Sequence, residues 1–354
     1  MGRYARKLIK EVLGNPRVLL EHRKFRKLSV FEELLKEITK LLYTNGDEGF
    51  ALARLGPDFA ELVASETGED PNILLIRAYG RLGSAYRVLG NLVEADKAYD
   101  KASALPGPAS EHADTDRRRA YLRVFQGKPE QGHTCAHSAV EVYKQSDDFF
   151  DRHPLGIALI ARGFTHYHNH RLGPAAIDLS AAIGIINYRV SPRPFYYALH
   201  NLSVIMVEVM EPNRLSQVLK NLDASYNRFV GSKRHIAKYK IHWLRALAHK
   251  RFGATRQAER LLKKAFNGFV ELKASTELSL ISIDIALLLT EEGCFDEARN
   301  LARSAYKIAS SLGMNADALA AIKLWRDASE NELTAKFFAT IRTAISESGT
   351  PVGL

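Results

Sequence analysis

The sequence predicts an all-α solenoid of about six helix pairs, stacked between capping helices at both ends. Three observations favour this fold class. Small residues recur at the spacing of close helix crossings, and no segment shows the period-two alternation of a half-buried strand. With 46% hydrophobic and 25% charged residues, the chain of 354 residues can also bury a core. An irregular helical bundle is the alternative that these observations leave open.

Residues 78–106 contain the clearest repeated unit. Its first half carries two aromatic residues around a Leu-Gly step, and its second half carries small residues around a third aromatic: Tyr79, Leu82, Gly83 and Tyr86, then Ala95, Tyr99 and Ala102. Gly83 and Ala95 are expected where the two helices cross, because a larger side chain would force the axes beyond the roughly 8–10 Å at which helices pack. Gly90 predicts the end of the first helix, since glycine adopts the left-handed conformation that closes helices.

This spacing resembles a tetratricopeptide repeat, a helix–turn–helix unit of about 34 residues. Its second-helix signature is a small residue followed by apolar or small residues four and seven positions later. The signature recurs downstream at Gly132, Ala136 and Ala139; Ala175, Leu179 and Ala182; Leu215, Leu219 and Leu222; Ala258, Leu262 and Ala265; and Ala298, Ala302 and Ala305. The first members lie 37 to 43 residues apart, so the helices or their connections are longer than in the standard repeat. The resemblance implies a right-handed superhelix whose concave wall is formed by the first helix of each pair.

Four segments follow from this register. Residues 75–313 are predicted to hold the repeats, preceded by a helical cap over residues 29–74 and by a basic arm or helix over residues 1–28. Residues 314–354 are predicted to form a C-terminal helical cap and tail that carries Trp325, Phe337 and Phe338. A stack of repeats needs such caps, because its end units would otherwise expose their apolar faces.

The resemblance also places particular residues on the concave wall, which is where such repeat proteins bind their partners. The first three units contribute cationic and aromatic side chains there: Arg77, Arg81, Arg87, Arg117, Arg118, Tyr121, Phe164, Tyr167 and His168. Guanidinium groups bind carboxylates through paired hydrogen bonds, and aromatic faces provide contact area, so we expect a protein or peptide partner of acidic character. Alternatively, the arginines form helix-stabilising pairs with acids such as Asp114 and Asp116.

The net charge of +10 is concentrated in two segments. Residues 1–28 carry nine lysines and arginines against two glutamates, and residues 231–270 carry eleven against one. The second segment predicts a phosphate-binding surface, with nucleic acid as an alternative partner. Its candidate residues are Lys238, Lys240, Arg245, Lys250, Arg251, Arg256, Arg260, Lys263 and Lys264. The first segment is expected to form an amphipathic helix for a membrane surface or an acidic partner, or else a disordered tail.

Histidines are the only candidates for metal binding. They form two clusters in neighbouring units, His133 with His137, and His166 with His168 and His170. An i, i+4 histidine pair can chelate a metal ion, but no acid at a matching spacing completes either cluster, so the sequence leaves metal binding open. The sequence contains no phosphate-binding glycine loop, metalloprotease motif or nucleophile–base set. We therefore expect no catalytic residues and no cofactor.

The expected function is that of a non-catalytic adaptor or scaffold, which holds a peptide or protein partner in the concave groove. Two cysteines are too few for a disulfide framework, and no apolar run approaches the roughly 20 residues of a membrane span, which favours a cytoplasmic protein. The alternative is a regulatory receptor or transcription-associated protein that senses a signal peptide and contacts nucleic acid through its basic segments. The residues predict neither the pathway nor the oligomeric state.

Overall fold

The structure is a computed structural model that describes residues 2–42, 44–145, 152–210, 212–229 and 236–314, together with 321, 323, 324, 326–329 and 331. Helices are the regular elements of these residues, none of which lies in a β-strand. The prediction of an all-α helical-repeat fold is therefore confirmed. Contacts divide the chain into two compact units, Met1–Ala274 and Ser275–Leu354.

The first unit opens with α1 Gly2–Val12, α2 Val18–Glu21, α3 Leu28–Leu41 and α4 Gly46–Thr67. Helix pairs follow: α5 Pro71–Val88 with α6 Leu92–Ala104, α7 Ala109–Phe125 with α8 Pro129–Lys144, α9 His153–His168 with α10 Leu172–Ile185, α11 Pro192–Val209 with α12 Pro212–Phe229, and α13 Ile236–Arg251 with α14 Thr255–Glu271. The second unit contains the pair α15 Ser275–Glu291 and α16 Phe295–Ser311. Each second-helix signature found in the sequence lies within the second helix of one pair. Trp325, Phe337 and Phe338 of the expected C-terminal cap lie outside the described residues.

Glycine allows the paired helices to approach each other closely. A Cβ atom placed on Gly83 of α5 would lie 2.6 Å from the Tyr99 ring of α6, and one on Gly132 of α8 would lie 2.8 Å from the Ala120 carbonyl oxygen of α7. Both distances are well inside van der Waals contact, so even an alanine would have to push the helices apart. Ala95 is fully buried on α6, as a residue at a helix crossing should be. The small residues that predicted the repeat are therefore contact points between helices.

The helix ends follow from local residues. Gly90 after α5 has a φ of +82°, the left-handed conformation that was expected there. The side chain of Asn91 then caps α6 by accepting a hydrogen bond from the Glu94 backbone N–H at 3.2 Å. Asp70 caps α5 in the same way, accepting from the Asn72 backbone N–H at 2.8 Å. Gly90 and Asn91 keep the connection between α5 and α6 short, and the two helices pack antiparallel.

The N-terminal segment is part of the packed first unit. Helix α1 buries Leu8, Ile9 and Val12 and contacts α3. Its charged side points away from this contact, where Glu11 forms an ion pair of 2.8 Å with Lys24. Residues 2–12 thus form an amphipathic helix whose apolar side is covered by α3.

The first helices of successive pairs contact one another, from α3 through α5, α7, α9 and α11 to α13. We call the surface formed by these helices the first-helix wall. The circuit of contacts is also closed, because Arg193 at the start of α11 donates a hydrogen bond of 2.9 Å to the Thr39 carbonyl oxygen of α3. Lys273, after α14, lies 3.6 Å from Asp47 at the start of α4. None of the described helices is long and apolar enough to span a bilayer.

Candidate functional site

Three arginines share one carboxylate on the first-helix wall. Asp114 of α7 accepts hydrogen bonds from Arg117 and Arg118 of the same helix, 3.2 and 2.9 Å from their Nε atoms, and lies 3.6 Å from Arg81 Nη1 of α5. Burial alone would raise the pKa of Asp114, but the charges of Arg117 and Arg81 outweigh it and hold the pKa below its ordinary value. We call Arg81, Arg117 and Arg118 the arginine cluster. With three positive charges around one negative charge, this cluster has an excess of positive charge.

Arg77 of α5 joins three successive first helices. Its Nε donates to Glu111 of α7 at 3.0 Å, and its Nη1 donates to Glu32 of α3 at 2.6 Å. The hydrogen bond to Glu111 is the main reason that the pKa of Arg77 lies above its ordinary value. Arg77, which the sequence placed among the ligand-binding residues, thus uses its donors for contacts between helices.

Aromatic side chains continue the wall from the arginine cluster toward α9. Arg87 of α5 lies over two rings of α7, with its Cζ 5.6 Å from the centre of the Tyr121 ring and 5.7 Å from that of Phe125. The Tyr121 ring lies 5.0 Å from Phe164 of α9, and Phe164 lies 4.4 Å from His168. We call Tyr121, Phe125, Phe164 and His168 the aromatic platform. Tyr121 follows the arginines of α7 by one helical turn, so the platform adjoins the arginine cluster.

Some of these side chains are open to water and yet surrounded by protein. The side chain of Asp114 is 37% exposed, but desolvation is the largest single influence on its pKa. His168 is also exposed, and desolvation lowers its pKa to about 4. Both properties occur together where water reaches a side chain from one direction and neighbouring helices crowd it from the others. Each of these side chains therefore faces water on one side and packed helices on the other.

The basic residues predicted on α13 and α14 fall into two groups. Arg245 forms an ion pair with Asp223 of α12, and Arg251 donates to the Met210 carbonyl oxygen at 2.7 Å, so both serve contacts between helices. Half-buried lysines on α13 belong with them: Lys238, Lys240 and Lys250. The second group is exposed on α14 and forms no ion pair with the residues that the structure describes: Arg256, Arg260, Lys263 and Lys264.

The structure separates the histidines of the second cluster. His166 of α9 faces His133 of α8 with ring centres 4.4 Å apart, whereas His168 belongs to the aromatic platform. His166 Nε2 lies 3.7 Å from Asp178 of α10, but this carboxylate already accepts two hydrogen bonds of 2.7 Å from Arg162. Within the described part of the chain, no three histidine, cysteine or acidic side chains are placed to hold a metal ion. The two histidine clusters do not assemble a metal site there.

Sequence reasoning missed several acids that face the first-helix wall. Glu111 could have been found, because it lies one helical turn before Asp114 on the same side of α7. Glu32 could not, since it lies 45 residues before its partner Arg77. Glu208 of α11 could not have been found either, because it lies 41 residues after its partner. It accepts a hydrogen bond of 2.5 Å from the Tyr167 hydroxyl of α9. Glu32 and Glu111 neutralise part of the positive charge that the sequence assigned to the wall.

Consecutive antiparallel helix pairs, with first helices in contact and small residues at the crossings, define a tetratricopeptide-like helical-repeat fold. Known structures agree with this class. The chain is similar to a Rap protein complexed with competence and sporulation factor, with a TM-score of 0.61, 12% sequence identity and 90% of each chain covered. It is also similar to the apo form of RapI, with a TM-score of 0.53, 14% identity, and coverage of 85% of this chain and 99% of that chain.

A third similar structure is a signal transduction ATPase with numerous domains and a tetratricopeptide repeat sensor from Pyrococcus horikoshii. Its TM-score is 0.52 at 13% identity, and the match covers 89% of this chain and 48% of that one. No family model matches the chain, and no curated protein matches its sequence. At these identities the similarity establishes the helical-repeat fold alone.

Proposed function

We propose that this chain is a non-catalytic scaffold that holds an extended acidic peptide segment, with aromatic side chains, against the first-helix wall. The observation that carries the proposal is the arginine cluster, in which three guanidinium groups share one carboxylate beside an aromatic platform. The partner is a protein or peptide, and the proposed compartment is the cytoplasm, where the free Cys135 and Cys294 would stay reduced.

A carboxylate supplied by a ligand would balance the charge of the arginine cluster. Arg81 is the cluster member best placed to donate hydrogen bonds to the ligand carboxylate. Its Nη1 lies 3.6 Å from Asp114, which is beyond hydrogen-bond distance. Its Nε is buried and has no hydrogen-bond partner among the described residues. Desolvation lowers the pKa of Arg81 despite the nearby charge of Asp114, so a second anion would stabilise the guanidinium.

The aromatic platform would hold a neighbouring side chain of the same peptide. Aromatic rings prefer tilted or edge-to-face contacts at about 4.5–7 Å between centres, and the 5.0 Å contact between Tyr121 and Phe164 already has this form. An added ring could extend the stack from Phe164 at little cost in side-chain entropy. Because the platform adjoins the arginine cluster, acidic and aromatic residues close together in sequence would reach both surfaces.

The similarity to known structures supports ligand binding by this fold. The Rap protein of similar fold was solved complexed with competence and sporulation factor. We propose a bound protein segment for the present chain as well, with its chemistry inferred from the residues of this wall.

A regulatory receptor is the second candidate function, and one contact favours it. The hydrogen bond between Arg193 and Thr39 closes the circuit of first helices around α5, α7 and α9. A peptide bound to α5, α7 and α9 would contact three of the helices that form this closed circuit. A receptor would therefore change the contact between α3 and α11 on binding, whereas a rigid scaffold would retain it.

Peptide binding tests the proposal. The probe is a fluorescein-labelled peptide that alternates glutamate and tyrosine, followed by fluorescence anisotropy, with lysine replacing glutamate or serine replacing tyrosine in two control peptides. Arg81→Gln is expected to weaken binding about tenfold or more, because a hydrogen bond to a charged group contributes about 1.5–3 kcal/mol. Arg299→Gln is the matched control, since Arg299 also pairs with an aspartate, Asp296, but lies in the second unit.

Two results would contradict the proposal. One is equal affinity for the three peptides, which would mean that neither charge nor aromatic character is recognised. The other is an equal loss of affinity in Arg81→Gln and Arg299→Gln, which would assign the effect to total charge. Circular dichroism melts of both variants establish that each is folded at the temperature of the assay.

A further inference from the structure

Four cations lie together on the outward face of α14. Arg256, Arg260, Lys263 and Lys264 are all exposed, and at 100° per residue their positions fall within an arc of about 100° around the helix. The opposite face packs against α13 through fully buried apolar residues: Ala258, Leu262, Ala265 and Phe269. The stripe therefore points away from the core of its own helix pair. We call these four residues the α14 stripe.

The four residues of the α14 stripe form no ion pair within the described chain, unlike the wall arginines and Arg245. The wall arginines pair with Glu32, Glu111 and Asp114, and Arg245 pairs with Asp223. In contrast, the acids of α14 itself, Glu259 and Glu271, form no ion pair with the stripe. The excess is also regional, because residues 236–271 contain nine lysines and arginines against two glutamates.

This arrangement opposes the stability of the helix. Arg256 and Arg260 lie four residues apart, and Arg260 is followed by lysines three and four positions later. Like charges at these spacings repel each other on a helix surface and destabilise it. An anionic partner that spans the stripe would attract all four cations and so offset the repulsion between them.

We propose that the α14 stripe binds the phosphate backbone of nucleic acid, independently of the peptide site on the first-helix wall. The stripe extends over about 12 Å of helix, and the same length of duplex carries about seven phosphate charges. Gln257 and Asn267 are the exposed polar neighbours of the cations, and their amides can donate hydrogen bonds to phosphate oxygens. A membrane surface fits less well, because Val270 is the only exposed large apolar side chain on α14 and it lies beyond the last cation of the stripe.

The site is separate from the one proposed for peptide binding. Helix α14 is the second helix of its pair, whereas the arginine cluster lies on the first helices α5 and α7. Loss of one activity therefore need not affect the other. Because the stripe contacts phosphates, the binding is expected to be independent of base sequence and strongly dependent on salt.

Salt-titrated binding to DNA tests the proposal. The probe is a fluorescein-labelled random-sequence duplex, titrated with the full chain between about 50 and 200 mM NaCl. Four phosphate contacts predict a slope of log K against log salt of about −3.6, or roughly a 150-fold loss of affinity over this range. The variant R256Q/R260Q/K263Q/K264Q is expected to bind with a slope near zero.

The matched control removes the same total charge from exposed positions elsewhere. In K36Q/K97Q/K144Q/K307Q the lost lysines are scattered over α3, α6, α8 and α16, so slope and affinity should stay close to those of the parent chain. Equal losses in the two variants would overturn the proposal by showing that net charge alone attracts DNA. Unchanged binding in the α14 variant would also overturn it.

Two further measurements keep the test decisive. If the fourfold α14 variant unfolds, R256Q/R260Q and K263Q/K264Q are each expected to lose about half of the slope, and full slopes in both would refute the assignment. Phosphatidylserine vesicles provide the alternative anionic surface. If the chain binds these vesicles through the stripe and does not bind the duplex, the partner is a membrane and the nucleic-acid proposal is wrong. The glutamate–tyrosine peptide should bind the α14 variants like the parent chain, which separates this proposal from the first.

Discussion

Replacing Asp114 by asparagine is expected to weaken the fold and to strengthen the binding of an acidic peptide at the same time. Asparagine has nearly the same shape as aspartate, so the substitution removes the charge and leaves the packing. In the parent chain that charge is the one anion shared by the arginine cluster. Both effects follow from its loss, and they have opposite signs.

The loss of stability can be bounded from the exposure of the partners. Arg117 and Arg118 have side chains that are 12% and 13% exposed, which is close to the buried case, where breaking an ion pair costs about 3–5 kcal/mol. Asp114 itself is 37% exposed, so solvent screening reduces this cost toward that of a surface pair, about 0–1 kcal/mol. We expect a loss of about 1–3 kcal/mol in the free energy of unfolding.

The gain in affinity follows from the uncovered charge. A ligand carboxylate about 5 Å from an additional positive charge gains about 3 kcal/mol at an effective dielectric constant of about 20, and salt reduces this value. A gain of about 1–2 kcal/mol corresponds to roughly 5- to 30-fold tighter binding of the glutamate–tyrosine peptide. The lysine–tyrosine peptide should show no gain.

Urea unfolding and peptide anisotropy measure the two effects on the same preparation. Asp296→Asn is the control, because Asp296 also pairs with an arginine but is 81% exposed, and it should change neither quantity measurably. The folded-state pKa of Asp114 lies below its ordinary value, so its contribution is present above about pH 4 and is lost as the pH falls through the folded pKa. The difference in stability should therefore be the same at pH 5 and pH 7. Weaker peptide binding in Asp114→Asn would refute the reasoning, since Asp114 would then be needed to position the arginines.

Three further predictions concern the fold. Gly83→Ala should lower the free energy of unfolding by about 1–3 kcal/mol, because the added Cβ would lie 2.6 Å from the Tyr99 ring, and a urea curve like that of the parent would contradict the close crossing. Arg193→Met should speed hydrogen exchange in α3, because it removes the hydrogen bond to the Thr39 carbonyl oxygen, while exchange in α16 stays unchanged as the internal control. Burial lowers the pKa of His166 in the folded state, so the parent chain should lose stability as the pH falls below about 6.5, and His166→Asn should reduce that loss in pH-dependent thermal melts.

Local spacing accounts for what was predicted correctly. Gly83 and Ala95 were recognised as crossing points because a helix repeats its faces every 3.6 residues, and a small residue at such a position indicates a close neighbour whatever that neighbour is. Gly90 ended α5 for an equally local reason, its left-handed backbone. The same periodicity would have separated His166 from His168, since residues two apart on a helix point to different sides.

Partners distant in the chain could not be predicted in this way. The sequence placed Arg77 and Arg81 on one surface as equivalent cations, but Arg77 is tied to Glu32 and Glu111, and Arg81 has no close hydrogen-bond partner for its Nε among the described residues. This difference depends on the contacts between first helices, which bring together residues 34 and 45 positions apart.

The residues alone determined the helical-repeat fold and the end of α5 at Gly90, because these depend on backbone preferences and on a period of a few residues. Only the tertiary structure decided which cations are neutralised. Packing of the first helices pairs the wall arginines with acids, whereas the α14 stripe meets no acid in the described chain. Charge pairing acts over a few ångströms in space, and the stacking of helices, not distance along the chain, sets that separation.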